Sequence, residues 1–345
     1  MTRLRDTLDA LLDRQDLTAE AASALLVALT GPEVPPAQAG AVLAGLRCKG
    51  VTAEELRGLA LGMRSLARRP VIPEAAGAVD IVGTGGDRSG SYNLSTGAAL
   101  LAAAAGLTVV KHGNRSVSSR AGSADVLEAL GLALPLEEVR AAECLAQTGF
   151  TFLFAPHYHP AMKAIAPVRA AMGVRTVFNI LGPLTNPAEP GFHVIGAYSE
   201  AVARLMAQAL AGMPIRRAFV VHGAGGWDEP TPLGNFLLLD VQDGQVRESE
   251  RGPADYGLPR CTEAALRGGD AAYNAAAMHR VLRGGEHGGH RDALVLGAAL
   301  ALQVTGAAAD PRAAANRAAE AIDSGAAGRL LDRLAAFSAA TQVAL

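Results

Sequence analysis

The chain has 345 residues, with 31 basic against 33 acidic side chains and a formal charge of -2. Half of it is apolar and 19% is charged, which excludes an intrinsically disordered chain and leaves no net positive charge for a protein held on duplex DNA by its surface. Its 39 glycines exceed the usual share of roughly 7% and predict several tight or phosphate-approaching loops.

Residues 1–70 read as helices only. Leu4, Leu8 and Leu11 recur at helical spacing, as do Ala22, Leu25 and Leu29; Val42 and Leu46 mark a third helix after Pro35-Pro36. A fourth starts at Thr52, where Thr52-x-x-Glu55 has the form of a capping box, and Leu56, Leu59, Met63 and Leu66 line one face. The opening stretch MTRLRDTLDALLDRQDL carries acids among its apolar positions and has no signal-peptide core. Arg68 to Pro73 reads as a linker. By pattern alone, the segment before it is equally a separate small domain or an N-terminal addition to one larger domain; a cleft between two domains is a common ligand site.

From Val79 the pattern changes. Short apolar runs (Val79–Val82, Thr108–Val110, Thr151–Phe154, Val194–Ala197, Ala218–Val221) alternate with Ala-rich helical stretches, which predicts an α/β domain over 71–345 with a largely parallel sheet. Phe236–Val241 followed by Asp243-Gly244 suggests a further strand and turn, and the last seventy or so residues return to helices. The longest apolar run, Ala98 to Val110, is shorter than the ~20 residues a bilayer requires. Cys48, Cys144 and Cys261 lie far apart with no C-x-x-C spacing, so a reducing compartment is expected. A soluble cytoplasmic protein follows from these features.

Three segments carry chemistry. The first runs from the strand at Ile81-Val82 through Gly83-Thr84-Gly85-Gly86-Asp87 to Asn93-Leu94-Ser95-Thr96, where a helix begins. Glycines let backbone N–H groups approach phosphate oxygens, and a helix start adds donors and partial positive charge. Ser95 or Thr96 offers a hydroxyl to a cation. The spacing matches neither G-x-G-x-x-G nor G-x-x-x-x-G-K-[ST], and an ordinary strand-to-helix turn competes. Asp87 beside a phosphate would have to point away, bond ribose hydroxyls, or act through a metal.

The second segment, Lys111 to Asp125, interleaves three cations with four serines and two glycines after the next strand. That chemistry, at the C-terminal end of a parallel strand, suits a polyanion better than plain solvation. Ser123 is the expected N-cap of the following helix. The third segment is His222-Gly223-Ala224-Gly225-Gly226-Trp227-Asp228-Glu229. Taken alone, its acid pair reads as an exposed turn; beside two polyanion-type loops, it reads as a Mg²⁺ site.

Taken together, GTGGD with NLST, KHGNRSVSSRAGSADVLEALG, HPAMKAIAPVRAAMGVRTVFNILGPLTNPA and VVHG…DE resemble the anthranilate phosphoribosyltransferase family, in the same order over roughly Val79 to Glu229. The KHGNR…LEALG block is long and specific, whereas GTGGD alone is not. The resemblance implies a small helical domain hinged to a large α/β domain, of the nucleoside phosphorylase/phosphoribosyltransferase type, and a homodimer formed through the small domain. It implies that Gly83, Gly86, Asp87, Ser91, Asn93, Leu94, Ser95 and Thr96 bind 5-phosphoribosyl 1-pyrophosphate (PRPP). Lys111, His112, Gly113, Asn114, Arg115, Ser116, Val117, Ser118, Ser119 and Ser123 would cover the same substrate. It further implies that Gly83, Asn114 and Arg169 contact anthranilate, and that Ser95, Asp228 and Glu229 hold Mg²⁺.

Arg175–Asn186 matches the family's inter-domain stretch, so chain near 170–185 is expected against the N-terminal helices. The acidic segment departs from the family: many members carry another Asp before the pair and no proline after it, and Pro230 restricts Glu229 toward extended conformations. The implied reaction is attack of the anthranilate amine on the anomeric carbon of PRPP with loss of pyrophosphate, and no residue is assigned as general acid or base. Two other readings compete: a pyrimidine nucleoside phosphorylase, and a non-catalytic relative that binds nucleic acid. The charge of -2 and the intact KHGN segment disfavour the second. No membrane partner is expected.

Overall fold

The computed structural model describes residues 4–31, 34–87, 89–116 and 120–342. Four helices open the chain: α1 (Leu4–Leu12), α2 (Ala19–Leu29), α3 (Pro36–Lys49) and α4 (Ala53–Ser65). Their starts are chemically set. Thr18 Oγ1 accepts the Ala21 N–H, and Thr52 with Glu55 forms the reciprocal capping box that its spacing predicts.

Glu55 does more than cap. It is fully buried, accepts the Leu17 N–H at 2.9 Å, and lies 3.0 Å from the Lys49 ammonium, so one carboxylate joins α3, α4 and the loop before α2. Glu55→Ala leaves the Lys49 ammonium only the exposed Asp16 as a counter-charge beside its bond to the Gly50 carbonyl, and should lower the unfolding free energy by about 3 kcal/mol in urea titration. A loss below about 0.5 kcal/mol would mean that Asp16 alone neutralises Lys49.

The sheet domain follows as β1 (Val79–Gly83), α5 (Leu94–Ala104), β2 (Val109–Gly113), α6 (Ser123–Ala129), α7 (Glu138–Thr148), β3 (Phe150–Phe154), α8 (Ala155–Tyr158), α9 (Met162–Met172), α10 (Phe178–Leu181), β4 (Phe192–Gly196), α11 (Glu200–Ala211) and β5 (Arg217–His222). The hairpin β6 (Phe236–Gln242) and β7 (Gln245–Arg251) and four helices complete it: α12 (Ala271–Leu282), α13 (Gly289–Val304), α14 (Pro311–Asp323) and α15 (Ala326–Gln342). Strand order is β3-β2-β1-β4-β5-β6-β7, parallel from β3 to β5 and antiparallel in the last two pairs. Asp243 and Gly244, both at positive φ, make the tight turn between β6 and β7.

Both faces of the sheet are covered, so its strands need no polar side. Along β4 and β5, Val194, Phe219 and Val221 pack toward α5 and α12–α15, while Ile195, Ala218 and Val220 pack toward α11 and the N-terminal helices. The first core runs on through α6 and α7, the second through α9 and α10. In that second core α9 packs on α3 and α10 on α4, which sets the 162–181 segment among the N-terminal helices.

Two local expectations are corrected. Strand β2 does not stop at Val110: Lys111, His112 and Gly113 pair with Phe152, Leu153 and Phe154 of β3, so the start of the basic run is buried strand and not loop. Gly122, not Ser123, is the N-cap of α6. The Ser123 hydroxyl instead donates to the Asn114 carbonyl at 3.1 Å, and the Asp125 carboxylate takes the Gly122 N–H at 2.8 Å.

Candidate active site

Strand order reverses around β1, with β2 and β3 to one side and β4 and β5 to the other, and the crevice at the carboxyl ends of such strands is where α/β sheets bind ligands. Gly83 and Gly196 face each other there in register. The segment after β5 folds back over both. A Cβ on Gly196 would lie 1.6 Å from the Asp228 carbonyl oxygen, and one on Gly83 would lie 2.5 Å from Asp228 Oδ2. Only glycine allows this approach.

The acid pair is thereby delivered to the glycine turn and to the start of α5. Gly85 donates its N–H to Asp228 Oδ2 at 2.5 Å, and the Asp228 N–H is donated to Asp87 Oδ2 at 3.3 Å. Asp87 also accepts the Ser89 N–H at 3.1 Å. Glu229 Oε1 accepts the Ser95 N–H at 3.2 Å, in the first turn of α5, where backbone donors lack helical partners. Of the sequence-derived residues, Gly83, Asp87, Ser95, Lys111, Asp228 and Glu229 therefore meet in one network.

Lys111 lies beneath it, 1% exposed, donating to the Ile81 carbonyl at 2.5 Å and reaching Ser95 Oγ at 3.5 Å. Burial pushes its ammonium pKa down, against the pull of Asp80 and Glu229. Asp80, which the sequence reading passed over, is fully buried and accepts hydrogen bonds from the His112 N–H and the Asn186 amide. Burial raises its pKa to about 6, opposed by Lys111. An acid inside the apolar strand Val-Asp-Ile-Val was the signal available for it.

Burial pushes Asp228 well above the ordinary carboxylate range, and the neighbouring Glu229 and Asp87 push it further. Glu229 rises to about 7 by burial, with Lys111 pulling it back. Among the described residues no three His, Cys, Asp or Glu side chains form a metal cage. The buried Asp228 carboxylate and the half-buried Glu229 carboxylate, with the Ser95 hydroxyl, are instead an all-oxygen partial shell, which suits a hard divalent cation that retains water and shares ligand oxygens.

The other sequence-derived residues fall elsewhere. Leu94 and Thr96 are interior residues of α5. His112 is buried, packs edge-on against His159 with ring centroids 5.0 Å apart, and has its pKa lowered by burial. Asn114 is exposed at the loop edge, and its Oδ1 accepts the Arg115 N–H at 2.7 Å. Arg115 is committed to Asp125 and Glu128 on α6. Ser91 pairs with Arg267, and Ser116 gives its N–H to Asp125 Oδ2. Val117, Ser118 and Ser119 lie outside the described residues.

Arg169 stands on α9 with its guanidinium 5.0 Å from the Phe178 ring centroid and, among the described residues, no carboxylate or carbonyl partner. Burial pulls its pKa down. Arg175, which the sequence places only in the inter-domain stretch, stacks on Tyr198 at 4.5 Å and donates to the Gly86 carbonyl, while Arg47 of α3 donates to the Arg175 carbonyl at 2.5 Å. The glycine turn is thus tied to the N-terminal helices through two arginines.

Residues 75–328 match the model of the glycosyl transferase family a/b domain, and residues 5–67 match that of the glycosyl transferase family helical bundle domain. The anthranilate phosphoribosyltransferase of Chloroflexus aurantiacus is 46% identical over 96% of each chain, and that of Azorhizobium caulinodans is 44% identical over 97% of this chain and 96% of its own. The crystal structure of the Thermus thermophilus anthranilate phosphoribosyltransferase superimposes with a TM-score of 0.91 at 43% identity, covering 96% of this chain and 99% of that one. The Saccharomyces cerevisiae anthranilate phosphoribosyltransferase in complex with PRPP and Mg has the same fold, with a TM-score of 0.88 at 24% identity over 98% of each chain.

Proposed function

The chain belongs to the anthranilate phosphoribosyltransferase family and transfers the phosphoribosyl group of PRPP to the amine of anthranilate, a step of tryptophan biosynthesis; from that premise we propose which of its residues do so. The carrying observation is the meeting of the glycine turn, the start of α5 and the Asp228–Glu229 pair at the reversal of strand order.

The pyrophosphoryl end of PRPP binds along the glycine turn and the first turn of α5, where backbone donors and the helix dipole favour anions. Ser95, Asp228 and Glu229 hold Mg²⁺, which, when bound, neutralises pyrophosphate oxygens as negative charge gathers on them. Asn114, Arg115 and Ser116, at the exit of β2, are assigned to the same leaving group. Lys111 remains the buried counter-charge beneath Ser95 and Glu229.

Arg169 pairs the anthranilate carboxylate and aims the amine at the anomeric carbon, with Gly83 and Asn114 beside it. The amine carries its own lone pair, forms the C–N bond as the C–O bond to pyrophosphate breaks, and loses its proton only after attack. No side chain is required as a strong base.

Residues 1–70, with the 162–181 segment packed on them, act as a small lobe hinged on the α/β domain of 71–345, and two copies pair through that lobe. No described helix is long and apolar enough to cross a membrane.

The loss of anthranilate fluorescence, followed with PRPP and magnesium omitted in turn, tests the reading. Activity should require both. Asp228→Asn combined with Glu229→Gln should raise the magnesium concentration for half-maximal rate by about tenfold or more, since two carboxylates that attract the cation are gone. An unchanged magnesium profile removes the pair from the site.

A further inference from the structure

The last third of the chain contributes no residue to the site described above, yet it grips the phosphate loop from outside. Gly268 donates its N–H to the Gly90 carbonyl at 2.9 Å, Tyr92 donates to the Leu266 carbonyl at 3.3 Å, and Ser91 bridges to Arg267. From the first turn of α12, Asn274 reaches the loop with a side chain that is 1% exposed. Its Oδ1 accepts the Gly269 N–H at 2.8 Å, and its Nδ2 donates to Asn93 Oδ1 at 2.7 Å. Asn93 in turn donates through Nδ2 to the Ala121 carbonyl at 3.1 Å.

Asn93 immediately precedes α5, the position from which asparagine ordinarily accepts an N–H of the second or third helical residue. It makes no such bond. Its oxygen is turned to Asn274, and the Ser95 N–H is left to Glu229. A single amide thus joins the glycine loop, the exit of the basic loop and α12.

We propose that Asn274 is a positioning residue of the PRPP site: by holding the Asn93 oxygen, it keeps that side chain off the start of α5 and reserves the helix's first donors for Glu229 and for substrate. The inference rests on the assignment of PRPP to this loop. The Asn93 backbone (φ -5°, ψ 58°) also lies outside the extended region usual for a cap, and without the Asn274 donor its Oδ1 is left to compete with Glu229 for the Ser95 N–H and the hold on Ala121 is loosened. Flipping the Asn93 amide offers no escape, since it would turn Oδ1 onto the Ala121 carbonyl.

Asn274→Asp separates this role from a merely structural one. The aspartate still accepts the Gly269 N–H, so the turn into α12 keeps its short bond and loses only the long 3.4 Å donation to the Gly269 carbonyl, but it presents no donor to Asn93. Calorimetric titration with PRPP and Mg²⁺ should give at least tenfold weaker binding than wild type, while the anthranilate KM stays within about twofold. Wild-type PRPP affinity in a folded Asn274→Asp protein overturns the proposal. Should that variant not fold, Asn274→Ser, which is too short to reach Asn93, is read by the same ratio. No binding heat in the wild type itself would overturn the site assignment and this proposal with it, whereas binding by wild type and variant alike overturns this proposal alone.

Discussion

Gly196→Ala should reduce kcat/KM for PRPP by on the order of a hundredfold, although a methyl group at the end of a strand is a small change. The new Cβ would lie 1.6 Å from the Asp228 carbonyl oxygen and 2.6 Å from its carbon. These are main-chain atoms, so no rotamer relieves the contact and the 223–229 segment has to lift. Lifting it breaks the Gly85–Asp228 and Ser95–Glu229 bonds together, and a displacement near 1 Å at a reacting site costs about that factor. Stability should fall by about 1–3 kcal/mol, as for other overpacked positions. Gly77→Ala, where a Cβ would meet nothing within 4 Å, is the matched control. Steady-state kinetics check the pair: a Gly196→Ala enzyme within threefold of wild type would show that the acid pair does not depend on close passage over β4.

Arg169→Ala should raise the anthranilate KM by on the order of a hundredfold while leaving the PRPP KM within about threefold. Its guanidinium is partly buried against Phe178 and has no anionic partner among the described residues, so the charge is kept out of full hydration with no counter-ion. A planar carboxylate supplies what is missing, through two parallel charge-assisted hydrogen bonds. Arg169→Lys should recover only part of the loss, because a point charge does not reproduce the fork. Equal increases in both KM values would refute the assignment, since they would mean that α9 shapes the whole cleft and does not bind one substrate.

The features legible in the chain were those that close over a few residues. The Thr52–Glu55 capping box, the Asp243-Gly244 turn and the strand cores Val79–Val82 and Ala218–Val221 each depend on neighbours in sequence, and each stands as read. The helical start, followed by alternating strands and helices, was equally visible from hydrophobic periodicity. Errors arose where tertiary pairing overrode local chemistry. Lys111, His112 and Gly113 look like loop residues, but β3 recruits them into the sheet; Ser123 looks like a cap, but Asn114 takes its hydroxyl.

Composition and periodicity were enough to state a helical start followed by an α/β domain, and the family resemblance carried by the loop motifs implied the reaction and the segments proposed to carry it, because loop chemistry and helix starts are encoded within a dozen residues. The meeting of those segments was decided only by the folded chain. Asp228 lies over Gly83 and Gly196, Arg175 joins Gly86 to α3, and Asn274 takes the Asn93 oxygen. Each of these contacts joins segments well separated along the chain, and its geometry follows from strand order and the packing of two layers on one sheet. No residue type announces such a partner in advance: an asparagine in an alanine-rich helix gives no sign of its role until the loop it holds is brought beside it.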